Sequence, residues 1–309
     1  MDLNIKALRY FVAIAEHGSF TKAAAVLHVA QPSISERIRA LETLLNCEVF
    51  RRSPNGVELT LEGQLLLPQA RALVAQANRI GRFAMDIARD GQNILRIGAM
   101  SNTVNLPHRS SLIDDFVDKY PKADLRITNG LALALLDRVD RGEDDVAIVL
   151  GPLGAGDFQY VTLCEVELGL LMPKDHPLAR FDEVPLAALA DLRMVALPRE
   201  VNPPFFDLVF RVFQDAGAVL TTLPEIDSHA MVRFAQAHHI CSASFDSVIM
   251  PYELEALGIV KRRLAGSKIT TTLAAVRAPS QLRPVAEKFW EFTMERFGPP
   301  RQVAHARAT

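Results

Sequence analysis

The stretch from Gln31 to Leu45, QPSISERIRALETLL, constrains the fold of this chain more than any other. Ile34, Ile38, Leu41 and Leu45 recur at spacings of four, three and four, which sets them in one buried stripe of a helix. Ser33, Ser35, Glu36, Arg37 and Arg39 fall outside that stripe. Pro32 stands at the entrance, where its missing N–H costs nothing and its ring presets φ. The proline therefore starts a helix, with Gln31 expected at the cap and Pro32 at the first helical position.

Another short helix comes just before it. Ile5, Leu8, Phe11, Val12 and Ala15 recur at helical spacing until Gly18, and Ser19 is an N-cap for FTKAAAVLH. Two short helices and a turn, the second with polar side chains near its start, describe a helix-turn-helix. In that motif the start of the second helix enters the DNA major groove, where hydroxyl, amide and charged groups reach base edges. A solvated helix face would have the same composition, but the next segment favours the groove. VFRRSPNGVELT (49–60) reads as strand, Asn-Gly turn, strand. Arg51 and Arg52 at the end of its first strand suit phosphates or a minor groove. The whole is a winged helix-turn-helix.

These residues resemble the DNA-binding domain of the LysR-type transcriptional regulators. Phe11, GSFTKAA (18–24), Leu27, QPSIS (31–35), LE (41–42), VFRR (49–52) and LT (59–60) stand where that family's pattern expects them. Asn46 replaces the glycine that often closes the recognition helix, and asparagine tolerates the same left-handed backbone. The resemblance implies DNA contacts from Gln31, Pro32, Ser33, Ser35, Glu36, Arg37, Arg39, Arg51 and Arg52. Glu36 carries two readings: it meets a cytosine amino group and tunes operator choice, or it pairs with Arg37 or Arg39 on the surface. Charge agrees only mildly, since residues 1–89 hold 11 Lys+Arg against 8 Asp+Glu in a chain of net charge −2.

Leu66, Ala70, Leu73, Ala77, Ile80, Ala84 and Ile87 alternate spacings of four and three, a coiled-coil seam. A helix lying on its own domain would show a similar pattern. The family resemblance implies a linker helix that pairs two subunits. Pro68 is expected to kink this helix, and Asp90-Gly91-Gln92 to end it at a hinge. Two paired winged domains would read a two-fold interrupted site.

Beyond the linker, strands ILRIGA (94–99), ADLRIT (123–128) and DDVAIVL (144–150) alternate with helices, and the rhythm returns through LGLLMP (168–173) and RMVALP (193–198). This argues a parallel α/β sheet. It matches the two-lobed effector domain of the same family, which is similar to periplasmic solute-binding folds. The expected fold is thus an α+β two-part chain. Residues 1–60 form the winged helix-turn-helix and 61–91 the linker and dimerisation helix. Residues 92–309 form the effector domain, with lobe 1 in 92–162 and 265–309 and lobe 2 in 163–264.

Ligands in open α/β sheets bind beyond the carboxyl ends of strands. Ser101, Asn102 and Thr103 follow the first strand and offer an anion cradle together with the N–H groups of a helix start. Asn129 and Gly130 follow the second strand and Leu150 the third. Asn202 and Phe205 in PREVNPPFFD, and Ser244 in SASF, supply the facing wall. Each polar residue here would equally serve as a helix cap, and Phe205 as core. His238 and His239 stand where the family has a glycine-rich turn and would narrow or repolarise the cleft. An aromatic or organic acid is the effector class this resemblance suggests.

Enzyme readings fail on their own terms. SFTK (19–22) has serine and lysine one helical turn apart but no companion motif, and GPLGAG (151–156) has the wrong glycine order for a nucleotide loop. HHIC (238–241) lacks a second ligand pair at zinc spacing. Asp114-Asp115 and Asp144-Asp145 read as solvated surface. No catalytic residue, metal or cofactor is expected. LRYFVAIAEHG carries Arg9 and closes on Glu16 and His17 without a cleavage site, and three scattered cysteines suit a reducing compartment, so a cytoplasmic location is expected. The expected partners are double-stranded operator DNA, a small-molecule effector, a second or further copies of the chain as homodimer or homotetramer, and RNA polymerase if the protein activates. A solute-binding or transport-accessory protein with no DNA role is the alternative.

Overall fold

The computed structural model describes residues 4–53, 56–88, 93–153, 156–223, 227–246, 248–266, 268–279 and 282–303. Contacts divide the chain into a smaller unit, chiefly Met1–Gly91, and a larger one of Gln92–Val139 with Asp144–Thr309.

In the smaller unit, α1 (Ile5–His17), α2 (Phe20–Val26) and α3 (Gln31–Leu45) precede a hairpin of β1 (Phe50–Ser53) and β2 (Gly56–Leu59), then α4 (Leu61–Ala88). Asn4 and Ser19 cap α1 and α2 through their side-chain oxygens. Leu8, Phe11, Ile14, Ile34, Ile38 and Leu41 are buried together. The cap of α3 is Ala30, one residue earlier than expected, so Gln31 and Pro32 are its first two helical residues. Gln31 instead uses its amide to donate to Ser35 Oγ at 2.9 Å. Asn46 closes α3 at φ 53°, in the left-handed region. The hairpin pairs Arg51 with Glu58 and Ser53 with Gly56, and its turn residues 54 and 55 lie outside the described residues. Phe50 packs its ring 5.3 Å from Phe11 and 5.8 Å from Phe20, fixing the wing to the helices.

Thr60 begins α4: its hydroxyl donates to Glu48 O at 2.7 Å and accepts from Gly63 N at 3.0 Å. A Cβ at Gly63 would stand 2.2 Å from Val49 O, so only glycine allows α4 to cross the wing this closely. The helix continues through Pro68 without interruption. Leu66, Leu67, Ala70 and Val74 pack on the core of the smaller unit, and Arg9 donates to Asn78 Oδ1 at 2.8 Å. Leu61, Leu65, Leu73 and Ile80 stay exposed. The expected seam is thus divided: Leu66 and Ala70 face α1, and Leu73 and Ile80 face away. The side chains of Ala84 and Ile87, and the hinge expected at residues 90–92, lie outside the described residues.

The larger unit begins with β3 (Ile94–Ala99), α5 (Pro107–Lys119), β4 (Asp124–Asn129), α6 (Ala132–Asp140) and β5 (Val146–Leu150). The 15-residue β6 (Gln159–Pro173) follows, then β7 (Glu183–Val184), β8 (Arg193–Ala196), α7 (Pro203–Asp215), β9 (Val219–Thr222), α8 (Ser228–Ala237) and β10 (Ser242–Phe245). The chain ends with α9 (Pro251–Ala256), β11 (Ile259–Leu264), β12 (Thr270–Arg277), α10 (Pro284–Phe297) and β13 (Arg301–Gln302).

The main sheet runs β4-β3-β5-β12-β6-β11-β7. It is mixed rather than parallel: β3 pairs parallel with β4 and β5, but β12 runs antiparallel to β5 and β6. The last strands return without a helical crossover, which makes the antiparallel pairing possible. β6 carries the chain from one lobe to the other. It pairs with β12 as far as Glu167 and with β10 and β11 from Leu168 to Pro173.

Asp144 and Asp145, read as solvated, are buried. Asp144 takes two bonds from Arg138, at 2.7 and 3.0 Å. Asp145 takes Arg283 at 2.6 and 2.7 Å and the Arg96 amide at 2.8 Å. Adjacent side chains do point apart, but each points at a guanidinium, and a buried carboxylate needs such a partner. Asp115 is exposed and paired with Arg296, while Asp114 is exposed.

Candidate functional site

The first site is the outer face of α3. Gln31, Pro32, Glu36, Arg37 and Arg39 are exposed, and Ser33 and Ser35 half-buried, because Ile34, Ile38 and Leu41 turn the opposite side into the core. No side chain caps the start of α3, so its backbone amides and positive dipole end remain available to an anion. Among the described residues Glu36 has no ion pair with Arg37 or Arg39. Arg51 does have one, with Glu58 at 3.1 Å across the hairpin, where both side chains are exposed. Arg52 stands opposite Val57 in the hairpin register, and its side chain is outside the described residues.

Sequence reasoning missed one residue that shapes this face. Glu42 points back from α3, and its Oε1 accepts from Val49 N at 3.0 Å and Phe50 N at 3.4 Å. The carboxylate ties the recognition helix to the wing. Its only signal in the sequence was the LE pair in the family pattern.

The second site is a cavity of about 100 Å³ in the larger unit, beyond the carboxyl ends of β3, β4, β5 and β8. Five of the nine expected residues line it: Asn102, Leu150, Asn202, Phe205 and Ser244. Asn202 caps α7, with its Oδ1 accepting from Phe205 N at 3.1 Å. That cap points the Phe205 ring at Phe245, edge-on with centroids 6.0 Å apart. Gly151, at φ 124°, leaves room for the same ring, since a Cβ there would lie 3.3 Å from Phe205. Ser244 donates to Phe245 O at 3.3 Å. The carbonyl oxygen of Asn102 is buried and has no hydrogen-bond partner among the described residues.

The other four do not line the cavity. Thr103 is buried, its hydroxyl donating to Met100 O at 2.6 Å and accepting from Arg109 Nη1 at 3.0 Å. Arg109 also donates to Met100 O at 3.0 Å, and burial holds its pKa below the ordinary arginine value. Ser101 and Asn129 are exposed, and Gly130 abuts Leu135. The anion cradle of a long helix start is also missing, since residues 101–103 form one short 3-10 turn and α5 begins only at Pro107. The rest of the lining is mainly apolar and includes Met100, Leu131, Leu168, Val209 and Met231, together with Ser228 at the start of α8. These side chains carry no chemistry that a linear motif shows.

His238 and His239 are not in the cavity either. They lie past the end of α8, where His238 stacks on Phe234 at 4.1 Å and His239 Nε2 sits 3.9 Å from Asp175. Among the described residues no cluster of side chains suits a metal ion, and no helix is long and apolar enough to cross a membrane.

A winged helix-turn-helix and a two-lobed domain with an internal cavity follow one another in this chain, the build of a DNA-binding regulator, and comparison with known proteins shows the family. Residues 5–64 match the bacterial regulatory helix-turn-helix protein model of the lysR family, and residues 88–298 match the LysR substrate binding domain. The chain belongs to the LysR-type transcriptional regulators, a family of regulators and not of enzymes. It is 31% identical to the HTH-type transcriptional regulator BudR of Raoultella terrigena over 70% of this chain and 74% of that protein. It is 27% identical to the regulator XapR of Escherichia coli over 92% and 95% of the two chains. The fold is similar to that of the LysR family regulator CbnR, with a TM-score of 0.56 at 22% identity over 96% of this chain and 99% of that one. CbnR complexed with its target DNA gives a TM-score of 0.54 over 95% and 99%.

Proposed function

We propose that this regulator binds operator DNA as a dimer, with α3 in the major groove, and that a small organic effector in the cavity of the larger unit biases the arrangement of its subunits. The observation that carries this is the outward surface of α3, where Gln31, Glu36, Arg37 and Arg39 are exposed, Ser35 is half-buried, and no protein ion pair neutralises Glu36 among the described residues. The first residues of a recognition helix are those that reach base edges. Dimerisation is supported by Leu61, Leu65, Leu73 and Ile80, exposed along α4 in water with nothing apolar over them in the described chain. An effector acts only through different affinity for two arrangements, so the cavity must change between them.

The test is selection of bound fragments from a genomic DNA pool, followed by titration of the recovered site at several salt concentrations. The expected result is a two-fold interrupted site whose affinity falls as salt rises and is lost when Gln31, Ser35 and Arg37 are all alanine. Unchanged affinity in that variant, or no DNA binding even at low salt, overturns the reading.

A further inference from the structure

Among the described residues no lysine, arginine, histidine or acidic side chain lines the cavity, and its polar groups are Asn102, Asn202, Ser228 and Ser244. Arg109 is the cation behind its wall, but that guanidinium is buried, does not line the cavity, and directs Nη1 at Met100 O and Thr103 Oγ1. A carboxylate taken from water into such a space would lose its hydration and gain no ion pair. An organic acid, the effector class suggested by the family resemblance, fits this lining poorly.

One acceptor on the cavity wall is left without a donor. Asn202 Oδ1 already accepts from the Phe205 amide, and the Ser244 hydroxyl already donates to Phe245 O. Asn102 Oδ1 is buried and unpartnered. A buried carbonyl without a donor is unfavourable, and a ligand that supplies one recovers the missing bond. Around it stand Leu131, Leu150, Met231 and the Phe205–Phe245 pair, surfaces suited to a single ring. The space is tight: about 100 Å³, less than the roughly 150 Å³ of an apolar cavity that holds benzene, so a single ring enters only as the walls of the cavity move apart.

We infer that the effector is a small, uncharged, mainly apolar molecule of the phenol or aromatic alcohol class, whose hydroxyl donates to Asn102 Oδ1. This rests on the cavity being the effector site.

Three probes with one ring and different polar ends test it on the full-length protein: 4-methylphenol, its methyl ether 4-methylanisole, and 4-methylbenzoate. Binding is read by calorimetry and by the shift in melting temperature. The phenol is expected to bind, the ether to bind about tenfold more weakly for want of the donor, and the benzoate not to bind. In Asn102→Leu the phenol should fall to the affinity of the ether, and the ether should be unchanged. The unliganded variant should melt no lower than the unmodified protein, because an unmet acceptor has been removed. The comparison of probes on the unmodified protein stands even if that variant folds poorly. Benzoate binding as tightly as the phenol, or a phenol affinity indifferent to Asn102→Leu, overturns the ligand class while leaving the cavity as effector site. If none of the three binds or alters operator affinity, the effector-site reading itself is overturned.

Discussion

Glu42 reaches from α3 to the wing, its carboxylate accepting the Val49 amide at 3.0 Å. The bond joins α3 to the first residue of the segment carrying Arg51 and Arg52. Val49 is fully buried, so its N–H has no water to turn to if the carboxylate is removed. Glu42→Ala should destabilise the protein by about 1–3 kcal/mol, the cost of a buried unmet donor. Glu42→Gln keeps an acceptor and should lose less. Urea denaturation checks the order, and faster amide exchange at Val49 and Phe50 should accompany the alanine variant.

A second prediction concerns the buried pair in the larger unit. Arg283 and Asp145 meet through two short bonds with about 9% of each side chain exposed. Removing one partner strands the other charge, which typically costs about 3–5 kcal/mol. Arg283→Met and Asp145→Leu should each lower stability by that order. The double replacement should recover much of the loss, since a hydrophobic pair of similar volume avoids desolvating either charge. A double-mutant cycle by chemical denaturation measures the coupling.

These two contacts mark where sequence reading succeeds and where it stops. Ile34, Ile38 and Leu41 announce α3 because periodicity is a local property, and all three are buried as their spacing requires. Strand ends such as Ala99 and Leu150 locate the cavity, because ligands gather beyond strand termini in this kind of sheet. Arg283 lies 138 residues from Asp145, and nothing local in DDVAIVL shows which guanidinium the carboxylate will meet. The same limit applied to Thr103. Its hydroxyl looks available in the sequence, but Arg109, six residues on, turns it inward. Leu131 and Met231 reach the cavity only because the two lobes fold toward each other, and apolar residues carry no mark of which surface they will line.

The third prediction follows from His176. Its Nδ1 accepts from the Leu178 amide at 3.2 Å, which requires that nitrogen to be unprotonated. Burial lowers its pKa from the ordinary 6.5, with neighbouring His239 adding to the effect and Asp175 opposing it. The folded state then binds the proton less readily than the unfolded state. Stability from this group is complete above the unfolded imidazole value and declines as the pH drops through it toward the lowered folded value. Denaturation midpoints measured from about pH 7 to about pH 5 should fall more steeply for the unmodified protein than for His176→Gln. Equal slopes would mean that the imidazole titrates normally.

The fourth prediction tests the subunit contact. Leu65 and Ile80 are 71% and 60% exposed on α4, far more than Leu66 or Ala70 on the same helix. Charges at both positions leave the packing on α1 untouched while opposing any apolar pairing of two α4 helices. Leu65→Glu with Ile80→Glu should give a monomer by analytical ultracentrifugation, with the melting temperature of the monomeric unit little changed. A variant that still sediments as a dimer would move the contact to another surface.

The last prediction separates the two readings of Glu36. An ion pair with Arg37 or Arg39 would have made it part of a solvated surface, but Glu36 has neither partner among the described residues and is exposed one turn into α3. A carboxylate held at a base edge prefers the amino group of cytosine and repels the acceptor face of guanine. Removing it should relax discrimination at one position of each half-site by about 1–3 kcal/mol. A variant that removes a phosphate contact, the expectation for Arg51→Ala, should instead weaken binding at all sequences alike and reduce the salt slope by about one. Competition among operator variants substituted at single positions distinguishes these outcomes. A Glu36→Ala protein with an unchanged base profile would assign the carboxylate to the surface alone.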